Sequence, residues 1–195
     1  MAEVRYETDF TMRITIDPAL VSKNFAAFKD NSSLQESAQL FAEGSPIAEM
    51  IQAFAMNRNV LSAFAGFDKI YPHGNLERGI LEKAILCISQ RNACQFCVQS
   101  HLDITGSLGI SNTSANDHGA PEHSARECLA LEYSQAVHRD SNRVPEELYK
   151  RLRGAFTDAE LVELTFLIGF INMLNWFNNA LGVRYHREFG GMKVT

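Results

Sequence analysis

The chain has 195 residues, 46% of them hydrophobic, and a formal net charge of −5. A chain of that length buries one core, and its basic residues gather into no stripe or tail, so nucleic acid is not an expected partner. The longest apolar run, Leu164 to Leu174, is broken by Gly169 and Asn172 and is too short to span a bilayer, so no membrane partner is expected either.

The opening residues MAEVRYETDF carry acids and no apolar signal-peptide core, which predicts a cytoplasmic protein. In a reducing compartment, close thiols among Cys87, Cys94, Cys97 and Cys128 serve catalysis or metal binding rather than a structural staple. Phe10, Met12, Ile14 and Ile16 alternate with polar residues, which predicts an extended arm over residues 1–17. The arm either packs on another subunit or simply leads into the domain. From Asp17 the signals are helical. Asp17-Pro18 and Ser45-Pro46 each read as a cap followed by proline in the first turn. Asn57 or Asn59 opens NVLSAFAGFDKIY, and the turn Pro72-His73-Gly74-Asn75 closes it. Asn75 is then expected to cap a helix running to about Gln90. Asn92 is expected to cap a fresh helix that starts at the cysteines and stops near Gly106 or Gly109. A polar loop spans Ser111 to Pro121. Helices follow over Glu122 to His138 and from Pro145. Thr157 with Glu160 forms a capping box that opens a long helix ending at Gly182.

The expected fold is therefore all-α: a multihelical bundle over residues 18–185, with a tail at 186–195. A weak internal repeat sets ILEKAIL beside LVELTFL, matching Glu82 with Glu163, Cys94 with Asn175 and Cys97 with Asn178 at one constant offset. It suggests two similar helical hairpins with the chemistry kept in the first. The long helix is apolar almost all round, which places it in a bundle centre or an oligomer interface. Asn172, Asn175 and Asn179 share a face of it. They either line a site or form a buried amide network or an interface seam, and the latter pair is favoured.

Chemistry concentrates in Cys94-Gln95-Phe96-Cys97. On one helical turn the two sulfurs face the same way and are positioned to form a disulfide. A position in the first helical turn favours a thiolate, the reactive species. His101 lies one turn beyond Cys97, with Cβ atoms about 5–6 Å apart, and is placed to take its proton. A bend between Gln90 and Cys94 would fold Glu82 back onto His101, and a carboxylate there fixes the imidazole tautomer. Core packing of these residues is one alternative. A structural zinc held by the C-x2-C-x3-H set is another, although no second Cys/His pair follows at ligand spacing. A thioredoxin-type unit would need strands that this sequence lacks. Cys87, Cys128 and Trp176 read as packing. His73, His118, His123, His138 and His186 fall in turns or on polar faces without a ligand-like partner.

The pattern Glu82-x11-Cys94-x2-Cys97-x3-His101 resembles the signature of the alkylhydroperoxidase AhpD family, within the carboxymuconolactone decarboxylase-like superfamily. The closing NWFNNALGV also resembles that family's last helix. The resemblance implies a duplicated helical unit, a homo-oligomer and thiol-dependent reduction of a hydroperoxide. It implies that Cys97 attacks peroxide, that Cys94 resolves the product and that Glu82 with His101 relays protons. It further implies a dihydrolipoyl- or thioredoxin-like dithiol reductant. No metal, flavin or nicotinamide is expected, since the sequence has no glycine-rich nucleotide loop. A dithiol–disulfide oxidoreductase with little peroxidase activity is the alternative within the same chemistry. One departure stands out: Phe96 occupies the place of a second histidine found in well-studied relatives, which makes the pocket more apolar.

Overall fold

The computed structural model describes residues 12–28, 30–71, 73–111 and 115–186. Nine α-helices and two short 3-10 segments, Ala26–Phe28 and Gly66–Lys69, account for the regular structure there, with no strand among the described residues. In chain order the helices are α1 (Pro18–Phe25), α2 (Ser32–Ala42), α3 (Glu49–Ala55), α4 (Arg58–Ala65), α5 (Arg78–Arg91), α6 (Gln95–Leu108), α7 (Ala125–Asp140), α8 (Glu146–Arg153) and α9 (Asp158–Leu181).

Side chains fix most of the helix starts. Asp17 accepts the N–H groups of Ala19 and Leu20, and Asn57 accepts those of Asn59 and Val60. Ser124–Glu127 and Thr157–Glu160 form reciprocal capping boxes. Gly109 and Gly182 end α6 and α9 in the left-handed region, where a glycine carries no Cβ penalty. Two expected caps serve elsewhere. Ser45 donates its N–H to Leu40 O in the turn that ends α2, and α3 begins only at Glu49. Asn75 donates its backbone and side-chain N–H groups to Glu163, and α5 begins at Arg78.

The innermost element is α5, in which every residue from Ile80 to Ser89 is buried, Glu82 and Lys83 included. It packs against α6, α7 and α9. Helix α9 buries Glu163, Leu164, Leu167, Ile168, Ile171, Leu174, Asn175 and Asn178 along one face. Its other face leaves Val162, Phe166, Met173 and Trp176 exposed, so Trp176 is not core packing within the chain. By length and composition α9 would suffice to cross a bilayer, but its buried polar residues bond to neighbouring helices.

The repeat does not extend to two equal hairpins. The chain breaks between α5 and α6, whereas α9 runs unbroken through the matching positions. The N-terminal arm has a partner within the chain: the Arg13 N–H donates to Leu181 O at 2.8 Å, and Met12 and Ile16 pack on the core. Phe10, residues 112–114 of the polar loop and the tail beyond His186 lie outside the described residues.

Candidate active site

Backbone geometry at residues 92–94 builds the site. Asn92 closes α5 as its C-cap rather than opening α6. Ala93 follows with φ +52°, a left-handed conformation that costs a non-glycine residue about 1–2 kcal/mol. That turn re-aims the chain so that Cys94, in extended conformation, becomes the N-cap of α6. The Cys94 sulfur accepts the Cys97 backbone N–H at 3.4 Å, and the two thiols are hydrogen-bonded to each other across 2.7 Å. Both cysteines are free thiols, with Cys94 fully buried and Cys97 5% exposed.

The bend also brings α6 back alongside α5, as the sequence predicts. His101 Nδ1 lies 2.7 Å from Glu82 Oε2. Glu82 is completely buried, and its other oxygen is held by the Tyr71 hydroxyl and by Arg78 Nε, each at 2.6 Å. Arg78 also donates to the Tyr71 hydroxyl and lies over the Tyr71 ring, whose edge meets the His101 imidazole. Burial alone would raise the Glu82 carboxyl. The hydrogen bond and charge of His101, then Tyr71 and Arg78, outweigh it and hold the group below its ordinary value. The glutamate is thus kept ionised against the imidazole. All four expected site residues come together around the α5–α6 junction. Sequence reasoning missed Tyr71 and Arg78. Arg78 stands at i−4 from Glu82, a visible ion-pair spacing, whereas no local pattern links Tyr71 to it.

The thiols are unequal. The hydrogen bond between the thiols outweighs burial at Cys94, and the Cys97 N–H with the Asn178 and Asn175 amides adds to it, so the Cys94 thiol falls below its ordinary value. At Cys97 the same bond, burial and the charge of Cys94 push the thiol up. The surroundings therefore favour charge on Cys94, the sulfur at the helix start, over charge on Cys97.

The asparagines of α9 fasten the site from behind. Asn92 Nδ2 donates to Asn172 Oδ1 and Asn175 Oδ1, Asn175 donates to Ser89 Oγ, and Asn179 donates to Asn92 O. His138 Nε2 meets Asn92 Oδ1 at 2.9 Å. The amide network is present, and a further asparagine of α9 reaches the site: Asn178 Nδ2 donates to Cys97 Sγ at 3.2 Å. His123 is buried against Lys83 rather than lying on a polar face, and His186 bonds Glu49. Cys87 is core, its thiol raised by burial, while Cys128 is partly exposed. No cluster of three or more His, Cys, Asp or Glu side chains suited to a metal occurs among the described residues. Two open concavities beside α9, about 490 and 340 Å³, share Val162 and Phe166 and include none of the four site residues.

No family model matches the chain. The uncharacterized protein YdfG of Bacillus subtilis is 29% identical over 126 residues, 60% of this chain and 83% of its own. The uncharacterized protein YnjA of Escherichia coli is 35% identical over 104 residues, 49% of this chain and 55% of its own. An uncharacterized peroxidase-related protein from a Silicibacter species superposes with a TM-score of 0.74 at 20% identity, over 95% of this chain and 97% of its own. The alkylhydroperoxidase AhpD core of a peroxidase-related protein from Ralstonia eutropha gives 0.69 at 20% identity, over 91% and 94%. The fold is AhpD-like. The debrominase Bmp8, solved with 2,3,4-tribromopyrrole, shares this AhpD-like fold with a TM-score of 0.64 at 16% identity, over 93% of this chain and 94% of its own. Likeness at such identities carries the fold and leaves the substrate to the site.

Proposed function

We propose that this protein is a thiol-dependent peroxidase that reduces hydroperoxides through Cys97 and Cys94, with His101 and Glu82 moving the protons. The observation that carries the reading is the junction itself: two hydrogen-bonded sulfurs at a helix start, one turn from an imidazole locked to a buried, ionised glutamate. AhpD-like neighbours described as peroxidase-related support it.

Cys97 is the attacking sulfur because it is the one that reaches solvent and the one nearer His101. As it attacks the terminal oxygen of the hydroperoxide, its proton passes to His101. The O–O bond breaks, sulfur is oxidised to a sulfenic acid, and the departing alkoxide takes that proton from His101. Cys94 then displaces the sulfenic hydroxyl, which leaves as water with the Cys94 proton, and a disulfide remains. An external dithiol, dihydrolipoyl- or thioredoxin-like, restores the pair by exchange. Glu82 keeps the imidazole oriented through its contact with Nδ1.

Hydroperoxide consumption with a dithiol reductant tests the proposal. Wild-type protein should turn over, and Cys97→Ser and Cys94→Ser should not. Disulfide reduction without any peroxide turnover would replace this reading by that of a dithiol–disulfide oxidoreductase.

A further inference from the structure

Helix α9 sends a third polar group to the reacting sulfur. Asn178 is 1% exposed, and its Nδ2 donates to both Cys97 Sγ, at 3.2 Å, and Met50 Sδ, at 3.4 Å. A thioether sulfur only accepts hydrogen bonds, so Met50 fixes which way the amide faces. The amide oxygen, Oδ1, is then buried with no hydrogen-bond partner among the described residues. Buried carbonyl acceptors are nearly always satisfied, and an exception beside a reactive thiol calls for a donor that arrives with the substrate. The position is also rigid. The Asn92–Asn172–Asn175–Ser89 bonds clamp α9 to the turn that precedes the cysteines, and Val183 N–H holds the Asn178 carbonyl at the helix end.

We propose that Asn178 is a catalytic residue of the peroxide reaction: Nδ2 holds Cys97 Sγ in line, and Oδ1 receives the terminal hydroxyl of the hydroperoxide and then the hydroxyl of the Cys97 sulfenic acid. The inference rests on the peroxidase reading of the same site. The hydroxyl that Oδ1 holds is the one transferred to sulfur when the O–O bond breaks, so a single acceptor serves substrate and intermediate. It also selects for substrate, because a hydroperoxide carries an O–H on the oxygen to be transferred and a dialkyl peroxide does not. When Cys94 forms the disulfide and water leaves, Oδ1 is emptied for the next turn.

The test measures two reactions of Cys97 in the Cys94→Ser background. One is sulfenic acid formation with an alkyl hydroperoxide, trapped by a dimedone reagent; the other is alkylation by iodoacetamide, whose transition state has no hydroxyl to place. Asn178→Ala should slow sulfenic acid formation by about 100-fold, the typical effect of losing one preorganised hydrogen bond in an active site, and should slow alkylation far less, because alkylation loses only the Nδ2 bond to sulfur. Asn178→Leu keeps the side-chain volume and should behave alike, which covers the case in which the alanine variant folds poorly; cooperative unfolding of each is checked by circular dichroism. Equal slowing of both reactions would show a packing role and overturn the inference, as would an unchanged peroxide rate. If Cys97 with Asn178 intact gives no sulfenic acid although it alkylates, the peroxidase reading fails and the inference falls with it.

Discussion

Replacing Tyr71 by phenylalanine removes one hydroxyl and leaves the ring. That hydroxyl donates to Glu82 Oε1 at 2.6 Å and accepts from Arg78 Nη2 at 2.8 Å. A hydrogen bond to a charged group contributes about 1.5–3 kcal/mol net. Two features favour the lower end. Arg78 Nε remains on the same carboxylate oxygen, and the Arg78 side chain is 21% exposed, so water meets its freed nitrogen. The expected loss is about 1.5 kcal/mol, or about 3–6 °C in melting temperature for a chain of this size. The loss should depend on pH. Glu82 is held below its ordinary value of 4.5, so its stabilising contribution is complete above that value and disappears as pH falls through the lower folded value. Tyr71 is one of the groups holding it down, so wild type and Tyr71→Phe should differ fully at neutral pH and converge as pH falls below 4.5 through the lower folded value. Urea denaturation across that range supplies the comparison. A difference that stays constant with pH would refute the assignment of Tyr71 to the charged form of Glu82.

His101→Ala should lower peroxide turnover by about 10²–10⁴-fold, read as kcat with a saturating dithiol. Mild oxidation should join Cys94 to Cys97 and leave Cys87 and Cys128 reduced, as peptide mapping will show; a bridge from Cys87 or Cys128 to either motif cysteine would contradict the site. A Cβ at Gly74 would overlap the Glu163 carboxylate that ties down the N–H groups of Asn75 and Leu76, so Gly74→Ala should cost about 1–3 kcal/mol in denaturant unfolding. The exposed face of α9 is proposed to bury itself in a homo-oligomer. Phe166→Glu with Trp176→Glu should then shift sedimentation toward monomer, and a wild-type protein that already sediments as a folded monomer at low micromolar concentration would exclude that interface.

Sequence carried the helices whose caps are local. Asp17, Asn57 and the Thr157–Glu160 box each bind N–H groups two or three residues away, so the pattern and its effect lie within one turn. Asn75 and Asn92 failed as cap assignments because more distant partners claim them, Glu163 for the first and the α9 asparagines for the second. The Glu82–His101 contact was legible because the residues between them can only be accommodated by a bend, and the bend falls at Ala93, where no glycine advertised a left-handed turn. Tyr71 and Asn178 reach the site from other segments, and their approach is set by tertiary packing. The repeat register had nonetheless paired Cys97 with Asn178, the residue whose amide it meets.

In the proposed cycle the sulfur that begins α6 also undergoes the chemistry. A sulfur bonded to Cys97 carries no negative charge, and a neutral sulfur is a weaker acceptor for the Cys97 N–H than a thiolate. Oxidation would therefore loosen the first turn of the helix, and by linkage a firmly wound first turn would favour the reduced pair. Helix winding and electron count would then be two readings of one equilibrium.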